Sequence, residues 1–157
     1  SAERLVRVTA GGGPMSFSAK TEYGLVALIE LAGVEPPGGK LQVAEICRRQ
    51  GIPARYLDQM LTSLRKGGLL HSIRGPRGGY QLARPAAEIT VAEVIDCLER
   101  STPAERQGDR STVEFSVVAS LDKQLDQARA RLLSATTLQH LLEERRARTQ
   151  PLEMFYI

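Results

Sequence analysis

Residues 43–83 read VAEICRRQGIPARYLDQMLTSLRKGGLLHSIRGPRGGYQLA, and the punctuation of this stretch decides the fold. Val43, Ile46 and Cys47 recur at helical spacing, which predicts a helix over 43–50. Gly51-Ile52 makes a turn. Pro53 suits the first position of a second helix, because its missing N–H has no partner to lose there. That helix runs to about Lys66 and stops at Gly67-Gly68. Two helices joined by a short glycine-containing turn form the helix-turn-helix pattern. Two strand patterns follow, Leu69–Ile73 and Tyr80–Ala83, with the turn Arg74-Gly75-Pro76-Arg77-Gly78-Gly79 between them. A β-hairpin placed directly after the second helix makes the unit a winged helix.

On the N-terminal side, Leu25, Leu28, Ile29 and Ala32 predict a first helix from about Ser18 to Leu31, with Ser18 or Thr21 as its cap. Gly33–Lys40, which contains Pro36-Pro37-Gly38-Gly39, reads as a loop. Residues 1–14 end in a Gly-rich stretch and are expected to be a flexible extension outside the fold. On the C-terminal side, Thr90-Val91-Ala92-Glu93 is a capping box that opens a short helix ending near Glu99. Ser101–Thr112 is polar and reads as a loop. Val118, Leu121, Leu125, Ala128 and Leu132 are then spaced as heptad a and d positions. Such a seam either packs on its own domain or pairs with a second copy, and pairing is expected because the helix lies beyond the compact unit. Thr136 or Thr137 caps a final helix through about Arg146, and the apolar end Leu152–Ile157, with Phe155 and Tyr156, is expected to dock. The expected fold is mostly α: a winged helix-turn-helix with a two-stranded β-wing and a long C-terminal dimerisation helix. Its divisions are an extension at 1–14, a winged-helix domain at 15–99, a loop at 100–112, and the dimerisation and C-terminal helices at 113–157.

Composition narrows the function classes. The chain has 157 residues, 42% apolar and 25% charged, which excludes general disorder. No apolar run approaches the roughly 20 residues needed to span a bilayer, and the start has no signal-peptide pattern. Cys47 and Cys97 stand fifty residues apart without CxxC spacing, so a disulfide framework is not expected and the chain reads as cytoplasmic. The net charge is +3, but residues 15–85 carry ten Lys/Arg against five Asp/Glu, and residues 86–157 carry nine against twelve. Either the basic half faces a polyanion or the unevenness is chance.

The second helix of the pair has a core stripe of Leu57, Met60, Leu61 and Leu64, with Arg55, Gln59, Thr62, Ser63 and Lys66 opposite. On any surface helix that side would merely be solvated; in a helix-turn-helix it meets the major groove. Arg55 can bond guanine or phosphate and Gln59 adenine; Asp58 can accept from cytosine or pair with Arg55 or Arg65. Arg74 and Arg77 lie on a hairpin tip without bulky side chains, which suits a narrow minor groove. Its glycines leave backbone N–H groups available to phosphate. The tip lacks the Lys-Ser/Thr pair of a nucleotide-binding loop and leads into a strand. Cys47 reads as a core residue, and Cys97 as a structural residue or a redox thiol. His71 and His140 have no motif partner, and no HExxH, GxSxG or nucleophile triad is present, so an enzyme is not expected.

From Met15 to Leu98 the chain resembles the Rrf-type bacterial transcription regulators, the IscR/NsrR/CymR-like group. The blocks that carry the resemblance are Lys20-Thr21-Glu22-Tyr23-Gly24-Leu25, Gly51-Ile52-Pro53 with Tyr56-Leu57, and Leu64-Arg65-Lys66-Gly67-Gly68-Leu69. Arg74-Gly75-Pro76-Arg77-Gly78-Gly79-Tyr80 and Ile89-Thr90-Val91-Ala92-Glu93-Val94-Ile95 complete them. The resemblance implies a homodimeric repressor that binds double-stranded DNA at a partly palindromic operator. It makes Arg74 the minor-groove arginine, places Arg55, Asp58 and Gln59 on the recognition helix, and makes Tyr23 and Tyr56 phosphate contacts. Ser63, Lys66 and Arg77 complete the expected DNA-binding set. A regulatory protein partner, such as a metabolic enzyme, is compatible with the resemblance. Cluster-binding members carry three cysteines in the loop after the fourth helix, but residues 101–112 contain no Cys or His. Cys97 falls about ten residues before the first such position. Glu105 and Asp109 alone would be poor cluster ligands, so no iron–sulfur cluster and no other cofactor is expected. The alternatives are a cluster held by atypical ligands across a dimer, with Glu22 and Cys97 as candidates, or a winged helix that docks a protein.

Overall fold

A computed structural model describes residues 17–99 and 107–154. The first helix, α1 (Ala19–Ala32), starts at the expected cap: Ser18 Oγ accepts from the Thr21 N–H at 3.2 Å. Helix α2 (Val43–Gln50) ends at Gly51, whose φ of 66° is a left-handed conformation that a side chain would strain. Helix α3 (Ala54–Lys66) follows at once, and Gly67 ends it by donating to the Ser63 carbonyl at 3.0 Å. Pro53 is the cap of α3 and not its first residue, because its ψ of 131° is extended. Its φ of −60° still points the chain into the helix, so one residue separates the expectation from the structure.

Strands β1 (Leu70–Ile73) and β2 (Gly79–Leu82) pair antiparallel, with Leu70 opposite Leu82 and Ile73 opposite Gly79. The sheet gains an unexpected bridge from the loop before α2. Leu41 and Tyr80 exchange two backbone hydrogen bonds of 2.9 Å, which tie the wing to the start of the helix-turn-helix. The wing glycines are sites of close backbone approach: a Cβ on Gly78 would lie 2.2 Å from the Ile73 carbonyl oxygen. The Gly78 N–H donates to the Gly75 carbonyl at 2.9 Å, so it is not available to phosphate as the sequence suggested.

After a 3-10 turn (Ala86–Glu88), α4 (Val91–Leu98) opens with the expected capping box between Thr90 and Glu93. Glu99 at its end turns back to α1, where its carboxylate accepts from the Ser18 hydroxyl and, at 2.9 Å, from the Thr21 hydroxyl. Helix α5 (Val113–Ala135) packs against α4, and α6 (Leu138–Met154) returns to the head. Thr137 and His140 cap α6 reciprocally: the Thr137 N–H donates to His140 Nδ1 at 3.1 Å and the His140 N–H to Thr137 Oγ1 at 3.2 Å. The core draws Leu28 and Leu31 from α1, Ile46 from α2, Leu57, Leu61 and Leu64 from α3, Leu70, Ile89 and Val94. Leu138 joins the same cluster, so α6 completes the head. Arg145 of α6 and Arg49 of α2 both pair with the buried carboxylate of Glu30 on α1, at 3.3 and 3.4 Å.

Helix α6 runs past the expected stop near Arg146 to Met154. The Arg148–Glu144 pair at 3.2 Å and the Thr149 hydroxyl donating to the Arg145 carbonyl at 2.9 Å support its later turns. The extension at 1–14, the start of the 100–112 loop and the side chains of the apolar end at 152–157 lie outside the described residues.

Candidate nucleic-acid interface

Burial of Leu57, Met60, Leu61 and Leu64 turns the other side of α3 to solvent, and Arg55, Tyr56, Asp58, Gln59 and Lys66 all stand exposed there. Ser63 is half-buried. Its hydroxyl donates to the Gln59 carbonyl at 3.1 Å, as Thr62 does to Asp58 at 2.7 Å, so both hydroxyls bond along their own helix. Asp58 pairs with neither Arg55 nor Arg65 within 4.0 Å, which removes the ion-pair alternative and leaves its carboxylate open to a partner. Its negative charge still reaches α2: burial first, and Asp58 second, push the Cys47 thiol up.

Cations differ in whether a carboxylate partners them. Arg48, Arg49, Arg84, Arg145, Arg146 and Arg148 each have a carboxylate partner. Arg48 also holds the Glu45 carboxyl below its usual range. Arg55, Arg65, Lys66, Arg74 and Arg77 have none among the described residues; Lys40, Lys123 and Arg131 also have none, but they lie outside α3 and the wing hairpin. An arginine held without a counter-ion presents its donor fork to whatever anion arrives.

Two clefts are lined by four of the nine expected residues. Tyr23 of α1 meets Tyr56 and Gln59 of α3 across a cleft of about 410 Å³, together with Lys20 and Met60. Arg74 lines a second cleft, of about 720 Å³, between the end of α3 and the wing, beside Arg65, His71 and Ser72. Arg77 stands exposed in the wing turn. Lys20, Arg65, His71 and Ser72 were not in the expected DNA-binding set. Lys20 and Arg65 adjoin residues of that set, but no spacing reveals that β1 lies against the end of α3.

The expected seam lies exposed on α5 among the described residues. Val118 is 64% exposed and Leu121 and Leu132 are each 66% exposed, so no described part of the same chain covers them. Helix α5 meets α4 through a different side, where Asp126, Arg129 and Leu133 face Ile95 and Glu99.

A helix-turn-helix with a hairpin wing and unpaired cations on both elements defines a winged-helix protein of the nucleic-acid-binding class. Residues 17–144 match the Rrf2 family, described as "Iron-dependent Transcriptional regulator", and the chain belongs to that family. A protein of Synechocystis sp. classed as an HTH-type transcriptional regulator, slr0846, is 36% identical over 135 residues, covering 85% of this chain and 91% of the relative. The HTH-type transcriptional regulator IscR of Cereibacter sphaeroides is 42% identical over 95 residues, which span 60% of this chain and 61% of that protein. Among solved structures, CymR, the global cysteine regulator of B. subtilis, superposes with a TM-score of 0.71 at 31% identity, covering 83% of this chain and 98% of CymR.

The family description implies iron, and the residues present do not fit it. Among the described residues no three His, Cys, Asp or Glu side chains converge as a ligand set. The Cys97 Sγ packs on Gly67 so closely that a Cβ there would lie 2.3 Å from it, while Cys47 packs against the core on α2. Glu22 stands exposed on α1. A cluster needs convergent thiolates or imidazoles, and the 101–112 segment supplies neither.

Proposed function

We propose that the protein is a sequence-specific DNA-binding transcriptional repressor, acting in the cytoplasm as a homodimer on a partly palindromic operator without an iron–sulfur cluster. It works by binding and not by catalysis. The observation that carries this reading is the set of unpaired cations on α3 and the wing, beside the exposed amide of Gln59 and carboxylate of Asp58. In this reading Arg55, Asp58 and Gln59 meet base edges in the major groove, and Arg74 and Arg77 enter the adjoining minor groove. Tyr23, Tyr56 and Lys66 hold the backbone, and Ser63 joins them by turning its hydroxyl from the Gln59 carbonyl to a phosphate, contacts that position the protein without reading sequence.

The seam Val118, Leu121, Leu125, Ala128 and Leu132 supports the dimer. An exposed apolar stripe on a 23-residue helix is a surface that a second copy covers with its own. A two-fold dimer then presents two recognition helices to two half-sites about one helical turn, or a multiple of it, apart. Selection of bound sequences from random duplexes tests the reading. It predicts enrichment of a motif with two related halves; an unenriched pool would reject sequence-specific binding.

A further inference from the structure

The larger cleft, between the end of α3 and the wing, holds the feature that motif reasoning leaves without a role. Its walls are Arg65 from α3, Gly68 from the connection, His71 and Ser72 from β1, Arg74 from the wing turn and Tyr80 from β2. The charged and titratable side chains that line it are these two arginines, the histidine and the tyrosine, and no carboxylate is among them. Neither Arg65 nor Arg74 is neutralised from elsewhere among the described residues. Arg65, His71, Ser72 and Arg74 are all exposed, so their donors open to solvent.

We propose that this cleft seats one backbone phosphate of the bound duplex, with Arg65 and His71 as its anchors. The assignment rests on the DNA-binding reading above and adds two residues to it. A duplex lying across both α3 and the wing passes a sugar-phosphate strand over the gap between them, and that gap is this cleft. The guanidinium fork of Arg65 matches two phosphate oxygens, while an imidazole N–H and the Ser72 hydroxyl supply further donors. Such a clamp fixes how deeply the wing enters the neighbouring groove and carries no sequence information itself.

The test uses the full chain and measures affinity across a salt series for a selected duplex and for a scrambled one. Arg65→Gln should weaken both complexes by about tenfold and reduce the slope of log affinity against log salt by about one, the signature of a lost phosphate contact. His71→Ala should weaken both complexes by a few-fold, roughly, at unchanged discrimination. Arg131→Gln, on α5 and off the seam, should leave slope and affinity as they are, and equal melting temperatures confirm that the variants fold. If Arg65→Gln and His71→Ala bind like the parent while the parent still discriminates, the cleft holds no phosphate and the DNA reading stands. If either variant loses discrimination alone, its side chain touches a base edge and the clamp is wrong. A parent that binds both duplexes equally rejects sequence-specific reading and leaves the clamp to the salt slope, whereas a parent that binds neither overturns clamp and DNA reading together.

Discussion

Arg74 and Gly78 sit four residues apart in one turn and act through opposite means, charge at one and the lack of a side chain at the other. Arg74→Ala should weaken binding to a selected duplex by about 1–3 kcal/mol and blur any A·T preference beside the wing, because the narrow groove draws arginine by its potential. Fluorescence anisotropy at fixed salt measures this, and equal binding by parent and variant would remove Arg74 from the interface. Gly78→Ala places a methyl against the Ile73 carbonyl, so the turn must open. The expected result is weaker DNA binding with a nearly unchanged melting temperature, since the wing turn lies outside the main core. The arginines were legible because charge on a Gly-Pro tip is a local signal. The bond that occupies the Gly78 N–H was not, because it depends on how the turn folds back on Gly75. His71 has no motif partner in the sequence, and the structure sets it in one cleft with Arg65 of another element.

At the scale of elements, the helix-turn-helix, the wing and the capping box were legible because each is specified by residues within a few positions of one another. The Leu41–Tyr80 bridge and the Arg145–Glu30 pair were not, since their partners lie 39 and 115 residues apart and no periodicity links them. Helix α6 shows the consequence. Leu138 is fully buried, so Leu138→Ala should destabilise the head by about 2–5 kcal/mol in chemical denaturation. A loss below that range, as on a surface helix, would mean that α6 does not complete the core. Helix α4 reaches back to α1 in a pH-dependent way. The Ser18 hydroxyl, then that of Thr21, hold the Glu99 carboxyl below its ordinary value of 4.5. A carboxylate lowered on folding adds stability that is full above its unfolded value and lost as pH falls through its folded value. Stability should therefore decline below about pH 4.5, and Glu99→Gln should make that acid limb shallower. An identical limb in the variant would show that the contact carries no linkage.

Across the whole molecule, the basic half of the chain carries the candidate interface and the mildly acidic half carries the long helix. The exposed seam of α5 predicts a dimeric mass by light scattering at micromolar concentration, and Leu121→Asp should shift it to monomer. Protein purified without oxygen should be colourless and iron-free, and an iron-dependent gain in DNA affinity would contradict a cluster-free regulator. The central claim, that two copies read two half-sites, is tested most directly by titrating the full chain into a selected duplex and into the same duplex with one half-site scrambled. The account predicts two chains per selected duplex and a marked loss of affinity when one half is scrambled. One chain per duplex, or equal affinity for the two duplexes, would contradict it.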